Sequence, residues 1–177
     1  TRNAMTTEPF RFKKFTVLHD KCALKVGTDA VLLGAWTNVN GTKAILDIGT
    51  GCGVIALMAA QRNPEAMIDA VEIDKTSFNQ CEQNFKNSPW SERLTVFHSD
   101  IKNYSCGIKY DLIISNPPFF NNSLLSDRDN KNMARHTISL THTDLLKAIE
   151  ENLAKEGYAS VLLPSGEFEL WETLHKK

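Results

Sequence analysis

The tetrapeptide Asn116-Pro117-Pro118-Phe119 follows the apolar run Tyr110 to Ser115 and brings together the residue types in this chain best suited to chemistry. A buried strand that stops at an Asn-Pro-Pro turn leaves polar groups in a rigid, solvent-facing crevice. Each proline removes a backbone donor and fixes φ, so the carbonyls and the Asn116 amide face outward. The Asn116 oxygen and the Pro117 carbonyl can accept both hydrogens of an exocyclic amine, while Phe119 can stack on the ring that bears it. The competing reading is a strand-ending turn whose phenyl ring returns to the core. A second ligand-binding element at the same edge would decide between them.

The run AILDIG, residues 44–49, supplies that element: a buried strand entering Thr50-Gly51-Cys52-Gly53, followed by the helix-periodic VIALMAAQRN. The glycines predict a tight turn where backbone approaches a ligand at a helix N-terminus. Gly49, Gly51 and Gly53 form GxGxG, not the GxGxxG of dinucleotide-binding enzymes. Asp47 beside them is an awkward neighbour for a pyrophosphate and a good partner for a cation. The next strand, 67–74, ends in Glu72-Ile73-Asp74. An acid at this place accepts hydrogen bonds from ribose hydroxyls, and Asp74 also fits the cap of the following helix. LTVFHSD, residues 94–100, brings Asp100 to the same edge. There its carboxylate could accept from an adenine amine while the Ile101 N–H serves a ring nitrogen, the alternative being a solvated strand-end acid.

The elements that must position these residues alternate strand and helix from Ala44 onward, the pattern of a mostly parallel sheet with helices on both faces. Open α/β sheets bind ligands at the carboxyl ends of their strands, where glycine turn, acids and Asn-Pro-Pro-Phe would converge. The helix from Lys75 carries Phe78, Cys81 and Phe85 as a core stripe with Glu82 on a solvated face. Residues 141–157 predict a capped helix stopped by Gly157, before a fifth strand over 158–164 and a further helix. Ahead of the first core strand, Phe10 to Asp20 alternates aromatic and basic residues and predicts a short strand. Its basic face would hold Arg11, Lys13 and Lys14, as an RNA contact or as an edge-strand guard. A helix capped by Thr28 or Asp29 would carry Val31, Leu32, Leu33 and Trp36, with Lys25, Thr28 and Asp29 bordering the crevice. Residues 120–140, Asn-rich with Phe120, Arg128, Lys131, Arg135 and His136, form a candidate lid or RNA-contacting segment, against plain surface charge.

The chain has 177 residues, 20 Lys and Arg against 21 Asp and Glu, and a sequence pI near 6.5. One domain is the default at this length, and nucleic acid binding would need a local basic patch. Four cysteines without a CxxC point away from structural zinc or a disulfide framework and toward a reducing cytoplasm. No apolar run reaches membrane-spanning length. Residues 1–4 before Met5 read as an expression remnant, 5–43 as an N-terminal strand and helix extension, and 44–177 as the catalytic domain.

Together, DIGTGCG, Glu72, HSD at 98–100 and NPPF resemble the motifs of amino-methylating S-adenosylmethionine-dependent methyltransferases. The run FRFKKFTVLHDKCALKVGTDAVLLGAW, with ARHTISLTHTDLL, is similar to the bacterial tRNA1(Val) (adenine(37)-N6)-methyltransferase family. The resemblance implies a Rossmann-like methyltransferase fold and methylation of adenosine 37, 3′ of the anticodon, with S-adenosylhomocysteine as product. It implies that Gly49, Thr50, Gly51 and Gly53 wrap the methionine end of the cofactor, Glu72 and Ile73 the ribose, and Asp100 with Ile101 the adenine. Asn116, Pro117, Pro118 and Phe119 would then hold a flipped base, with no metal and no obligate protein partner, in a monomer. The family's sheet continues through two more strands, so the chain is expected to be truncated at its C-terminal end. Alternatives are a methyltransferase acting on an rRNA guanine amine or a release-factor glutamine, and a catalytically silent cofactor- and RNA-binding module. A nicotinamide-dependent oxidoreductase is disfavoured by GxGxG with NPPF.

Overall fold

A computed structural model describes residues 8–118 and 140–175. Five strands form one parallel sheet: β3 (Ala44–Ile48), β4 (Met67–Glu72), β5 (Leu94–His98), β6 (Tyr110–Ser115) and β7 (Leu153–Val161). Their order is β5-β4-β3-β6-β7. The first crossovers run through α2 (Val54–Arg62) and α3 (Lys75–Lys86), and β7 follows α4 (His142–Asn152). A last helix, α5 (Ser165–His175), comes after β7.

The strands are apolar on both sides, as a parallel sheet covered by helices requires. Ile45, Ile68, Ala70, Leu112 and Ile114 face one core, shared with α2 and with Cys81 and Phe85 of α3. Leu46, Ile48, Val71 and Ile113 face the other, with Leu145, Ala148 and Ile149 of α4. This period-two division fixes register, because a slip of one residue would exchange the two faces of a strand.

The N-terminal run differs from the single strand expected. It folds back as β1 (Phe10–Arg11) and β2 (Thr16–Val17), antiparallel and separate from the main sheet. Phe12 stacks on Phe15 with ring centroids 4.3 Å apart, and the Phe12 N–H donates to the Phe15 carbonyl at 2.9 Å. Folding back pairs backbone groups that a lone strand would leave open. Phe15 also meets Trp90 edge-on at 5.4 Å, which anchors the hairpin to the main core.

Helix α1 (Thr28–Trp36) is capped by the extended Gly27 with no side-chain cap bond, instead of by Thr28 or Asp29. Its apolar residues surround the axis, so Ala30, Leu33 and Gly34 are buried while Leu32 and Trp36 are exposed. Close contact with α2 selects that face: a Cβ on Gly34 would lie 2.7 Å from the Met58 sulfur. Helix α4 starts at a capping box made by Thr141 and Asp144 and stops at Asn152, five residues before the glycine expected to end it. The open edge of β6 explains the difference, since Leu153 already pairs with Tyr110. Gly157 sits inside β7, where a Cβ would come within 2.9 Å of the Tyr110 carbonyl oxygen near a register shift.

At the end of α2, the buried Asn63 amide donates to the Val39 and Thr42 carbonyls at 2.7 and 2.8 Å. Its oxygen accepts from the Glu65 and Ala66 N–H groups at 2.9 and 3.0 Å. Asn63→Ala leaves these buried groups unpaired, and we expect a loss of about 2–3 kcal/mol of unfolding free energy. Urea denaturation should show a lower midpoint at unchanged slope.

Candidate functional site

The site is built where β3 and β6 end side by side. Ile48 pairs with Ser115, and the buried Ser115 hydroxyl donates to the Ile48 carbonyl at 3.0 Å. Gly49 therefore leaves the sheet beside Asn116. Asn116 is half-buried, Pro117 buried and Pro118 half-buried. Phe119, Phe120, Arg128, Lys131, Arg135 and the lid expected around them lie outside the described residues.

Beyond Ile48 the backbone turns through Gly49, Gly51 and Gly53 with φ of 71°, 58° and 84°, all in the left-handed region. The glycines divide by surroundings. A Cβ on Gly49 or Gly51 would meet nothing within 4 Å, so this backbone is open to a ligand. A Cβ on Gly53 would lie 2.6 Å from the Phe85 ring and 2.8 Å from the Cys81 sulfur, so this glycine serves the packing of the turn on α3.

Two acids underlie the turn. Glu72, at the end of β4, is buried and accepts from the Gly51 N–H and the Asp74 N–H, both at 2.8 Å. Burial holds its carboxyl above the ordinary range, against the pull of those amides. Asp47 is completely buried, and its Oδ2 accepts from the Thr50 hydroxyl at 2.6 Å. Its Oδ1 has no hydrogen-bond partner among the described residues. Burial pushes its pKa up to about 7, with the Thr50 hydroxyl and the Ala56 backbone amide opposing. An acid with one unsatisfied oxygen suits a cationic ligand and opposes a phosphate at the same turn.

Gly49, Ile73, Asp100 and Ile101 line one crevice at this edge, floored by Ile48 and Val71. Asp100 caps the short helical turn Ile101–Asn103, accepting from the Lys102 N–H at 3.0 Å, and its other oxygen lies 3.5 Å from the Lys102 ammonium. The Ile101 N–H, at the first position of that turn, has no partner within it. Asp74 caps α3 through the Ser77 N–H at 2.7 Å. Lys25, Thr28 and Asp29 are exposed at the entry to α1, and Arg11, Lys13 and Lys14 are exposed on the hairpin. None of these six is among the described residues that line the crevice, and Gly51, Gly53, Glu72 and Asn116 also stand outside its lining.

The residues the sequence concealed lie on α3. Ser77, Gln80 and Asn84 are each 2% exposed. They bind the backbone of Leu18 to Ala23, and Asn84 also reaches the Cys52 carbonyl inside the glycine turn. Their spacing of three and four residues beside an apolar stripe was the available signal.

Residues 21–147 match the family model described as methyltransferase small domain. A tRNA1(Val) (adenine(37)-N6)-methyltransferase from Dyadobacter fermentans is 52% identical over 89% of this chain and 66% of the relative. One of the same name from Parabacteroides distasonis is 48% identical over 96% of this chain and 71% of the relative. The chain thus spans about two thirds of the length of these curated relatives. Among solved structures, a ribosomal protein L11 methylase from Lactobacillus delbrueckii aligns over 84% of this chain and 65% of its own. Its TM-score is 0.58 at 16% identity. A SAM-dependent methyltransferase from Geobacter sulfurreducens, solved with S-adenosylhomocysteine, aligns over 77% of this chain and 47% of its own with a TM-score of 0.55 at 13% identity. These two likenesses establish the fold, and the sequence matches establish the family. The chain belongs to the methyltransferase small domain family, on the branch of the proteins named tRNA1(Val) (adenine(37)-N6)-methyltransferase.

Proposed function

We propose that this protein methylates the N6 amine of an adenosine in tRNA, the position named for its relatives being adenosine 37 of tRNA1(Val). The observation that carries the reading is the paired ending of β3 and β6, which sets the open glycine turn beside Asn116-Pro117-Pro118. S-adenosylmethionine, when bound, supplies an electrophilic methyl group on a positively charged sulfur. Gly49 and Gly51 would let the backbone approach its methionine end, with the buried Asp47 supplying negative charge from beneath the turn. Glu72 would accept from the ribose hydroxyls with the lone pairs its backbone amides leave, and Asp100 with the Ile101 N–H would border the adenine.

The exocyclic amine of adenine is a poor nucleophile because its lone pair is delocalised into the ring. The Asn116 oxygen and the Pro117 carbonyl would accept its two N–H bonds, orient the lone pair and stabilise the charge that develops on nitrogen. Extruding the target base costs a few kcal/mol, and stacking on Phe119 would return about 1–3 kcal/mol. Arg11, Lys13 and Lys14 on the hairpin, with Arg128, Lys131 and Arg135, would contact the tRNA backbone. We place the enzyme in the cytoplasm as a monomer. Among the described residues no helix is long and apolar enough to cross a membrane.

Labelled methyl transfer to tRNA lacking the modification, with nucleoside digestion and mass spectrometry, is expected to yield N6-methyladenosine. Asn116→Ala should lower the transfer rate by about 10²–10³-fold with nearly unchanged cofactor affinity. Persistent activity in that variant would sink the amine-holding role.

Asp47 gives a pH signature. The unfolded chain releases its proton near 3.8 and the folded chain near 7, so the folded state binds more protons in between. The stability contributed by this group is complete below about 3.8 and declines as pH rises toward 7. A cationic ligand reverses the preference, so S-adenosylmethionine affinity should rise with pH through about 7. Calorimetric titration across that range should show the rise in the native chain and its absence in Asp47→Asn.

A further inference from the structure

We infer that Asn84 is a positioning residue for the glycine turn, its buried amide joining the turn to the N-terminal segment beside the direct contact of the Cys22 and Cys52 thiols. The inference rests on the cofactor reading given above. Asn84 Oδ1 accepts from the Leu18 N–H at 2.9 Å, and Nδ2 donates to the Leu18 and Cys52 carbonyls, both at 2.8 Å. Both amide hydrogens are therefore used, one on each partner segment.

Cys52 stands between Gly51 and Gly53, both at positive φ. Glycine offers little resistance to rotation, so the turn, closed internally only by the Gly53 N–H on the Thr50 carbonyl at 2.9 Å, takes further stiffness from its surroundings. The Gly51 N–H is held by Glu72 at 2.8 Å, and one residue further on the Cys52 carbonyl is held by Asn84 at 2.8 Å. Between these anchors lies the Gly51–Cys52 peptide group, at the turn that the ligand would approach. Releasing the Cys52 carbonyl frees the following peptide plane to rotate and leaves that acceptor buried and unpaired.

The neighbouring polar residues of α3 separate this role from general clamping. Gln80 accepts from the Lys21 N–H at 3.0 Å and donates to Asp20 at 2.6 Å, and the Ser77 hydroxyl accepts from the Ala23 N–H at 3.4 Å. Both hold the N-terminal segment alone. Asn84 joins that segment to the turn, so the placement of the hairpin that carries Arg11, Lys13 and Lys14 is tied to the shape of the cofactor loop.

The test pairs Asn84→Asp, which keeps the shape and the acceptor but loses both donors, with Asn63→Ala, a buried amide loss far from the turn. Titration with S-adenosylhomocysteine, at a temperature where both variants are folded, is expected to show affinity about tenfold weaker in Asn84→Asp and unchanged in Asn63→Ala. Turnover should show the same change in the cofactor KM, with kcat less affected. Hydrogen exchange without ligand should speed up at residues 51–53 and 18–23 together in Asn84→Asp and at neither in Asn63→Ala. Native affinity and native exchange in folded Asn84→Asp would overturn the inference. If Asn84→Asp does not fold, Asn84→Ser, which admits water in place of the amide, is held to the same two outcomes. Should the native chain fail to bind S-adenosylhomocysteine, the cofactor reading falls, while the exchange measurement still decides whether Asn84 couples the two segments.

Discussion

The position of β3 between β4 and β6 is the constraint on which the rest of the molecule depends. Asp47 is paired on one side with Ala70 and on the other with Ile114, and each pairing is parallel. A parallel register that buries both faces cannot slide by one residue without exchanging its two cores. The carboxyl ends of three strands are thereby fixed in one line, and everything polar that follows them is delivered to one place. The glycine turn, Glu72 and Asn116 owe their proximity to this line more than to bonds among themselves.

A cost is built into that line. Placing Asp47 and Glu72 in a dry edge would be prohibitive for free carboxylates, and the fold offsets it unequally. Glu72 receives the Gly51 and Asp74 amides, whereas Asp47, held by the Thr50 hydroxyl and the Ala56 amide, keeps one oxygen beyond hydrogen-bond distance of the described residues. A structure selected for stability alone would favour a neutral residue at Asp47. The imbalance is understandable where a charged ligand completes the set.

The core strands and their shared edge were legible in the sequence because apolar runs ending in glycine, acid or Asn-Pro-Pro have few other arrangements. The start of β7 was not, since Leu145, Ile149 and Leu153 continue a helical period up to the residue where pairing with Tyr110 takes over. Tertiary pairing there overrides local pattern. The hairpin escaped because strands of two residues leave no period to read, and its fold-back is decided by the Phe12 and Phe15 rings. Asn84 and Gln80 escaped for a different reason. Amides on a helix look like a solvated face until the chain that covers them is known.

The opposite edge of the sheet is laced shut. Asp111 accepts from the Lys43 and Ala44 N–H groups at 2.7 and 3.1 Å, and Arg93 donates to the carbonyls of Ala60, Asn63 and Ala66. Beneath β3, the Tyr110 hydroxyl donates to Asp69 at 2.7 Å, with Tyr104 and Cys106 joined to it. The laced end is tied by side chains that cross between elements, whereas the ligand edge leaves the backbone of Gly49 and Gly51 open. Fluctuations that open the fold by small amounts should enter at the ligand edge and die out toward the laced one. Small openings of this kind would leave the two cores on either side of the sheet intact.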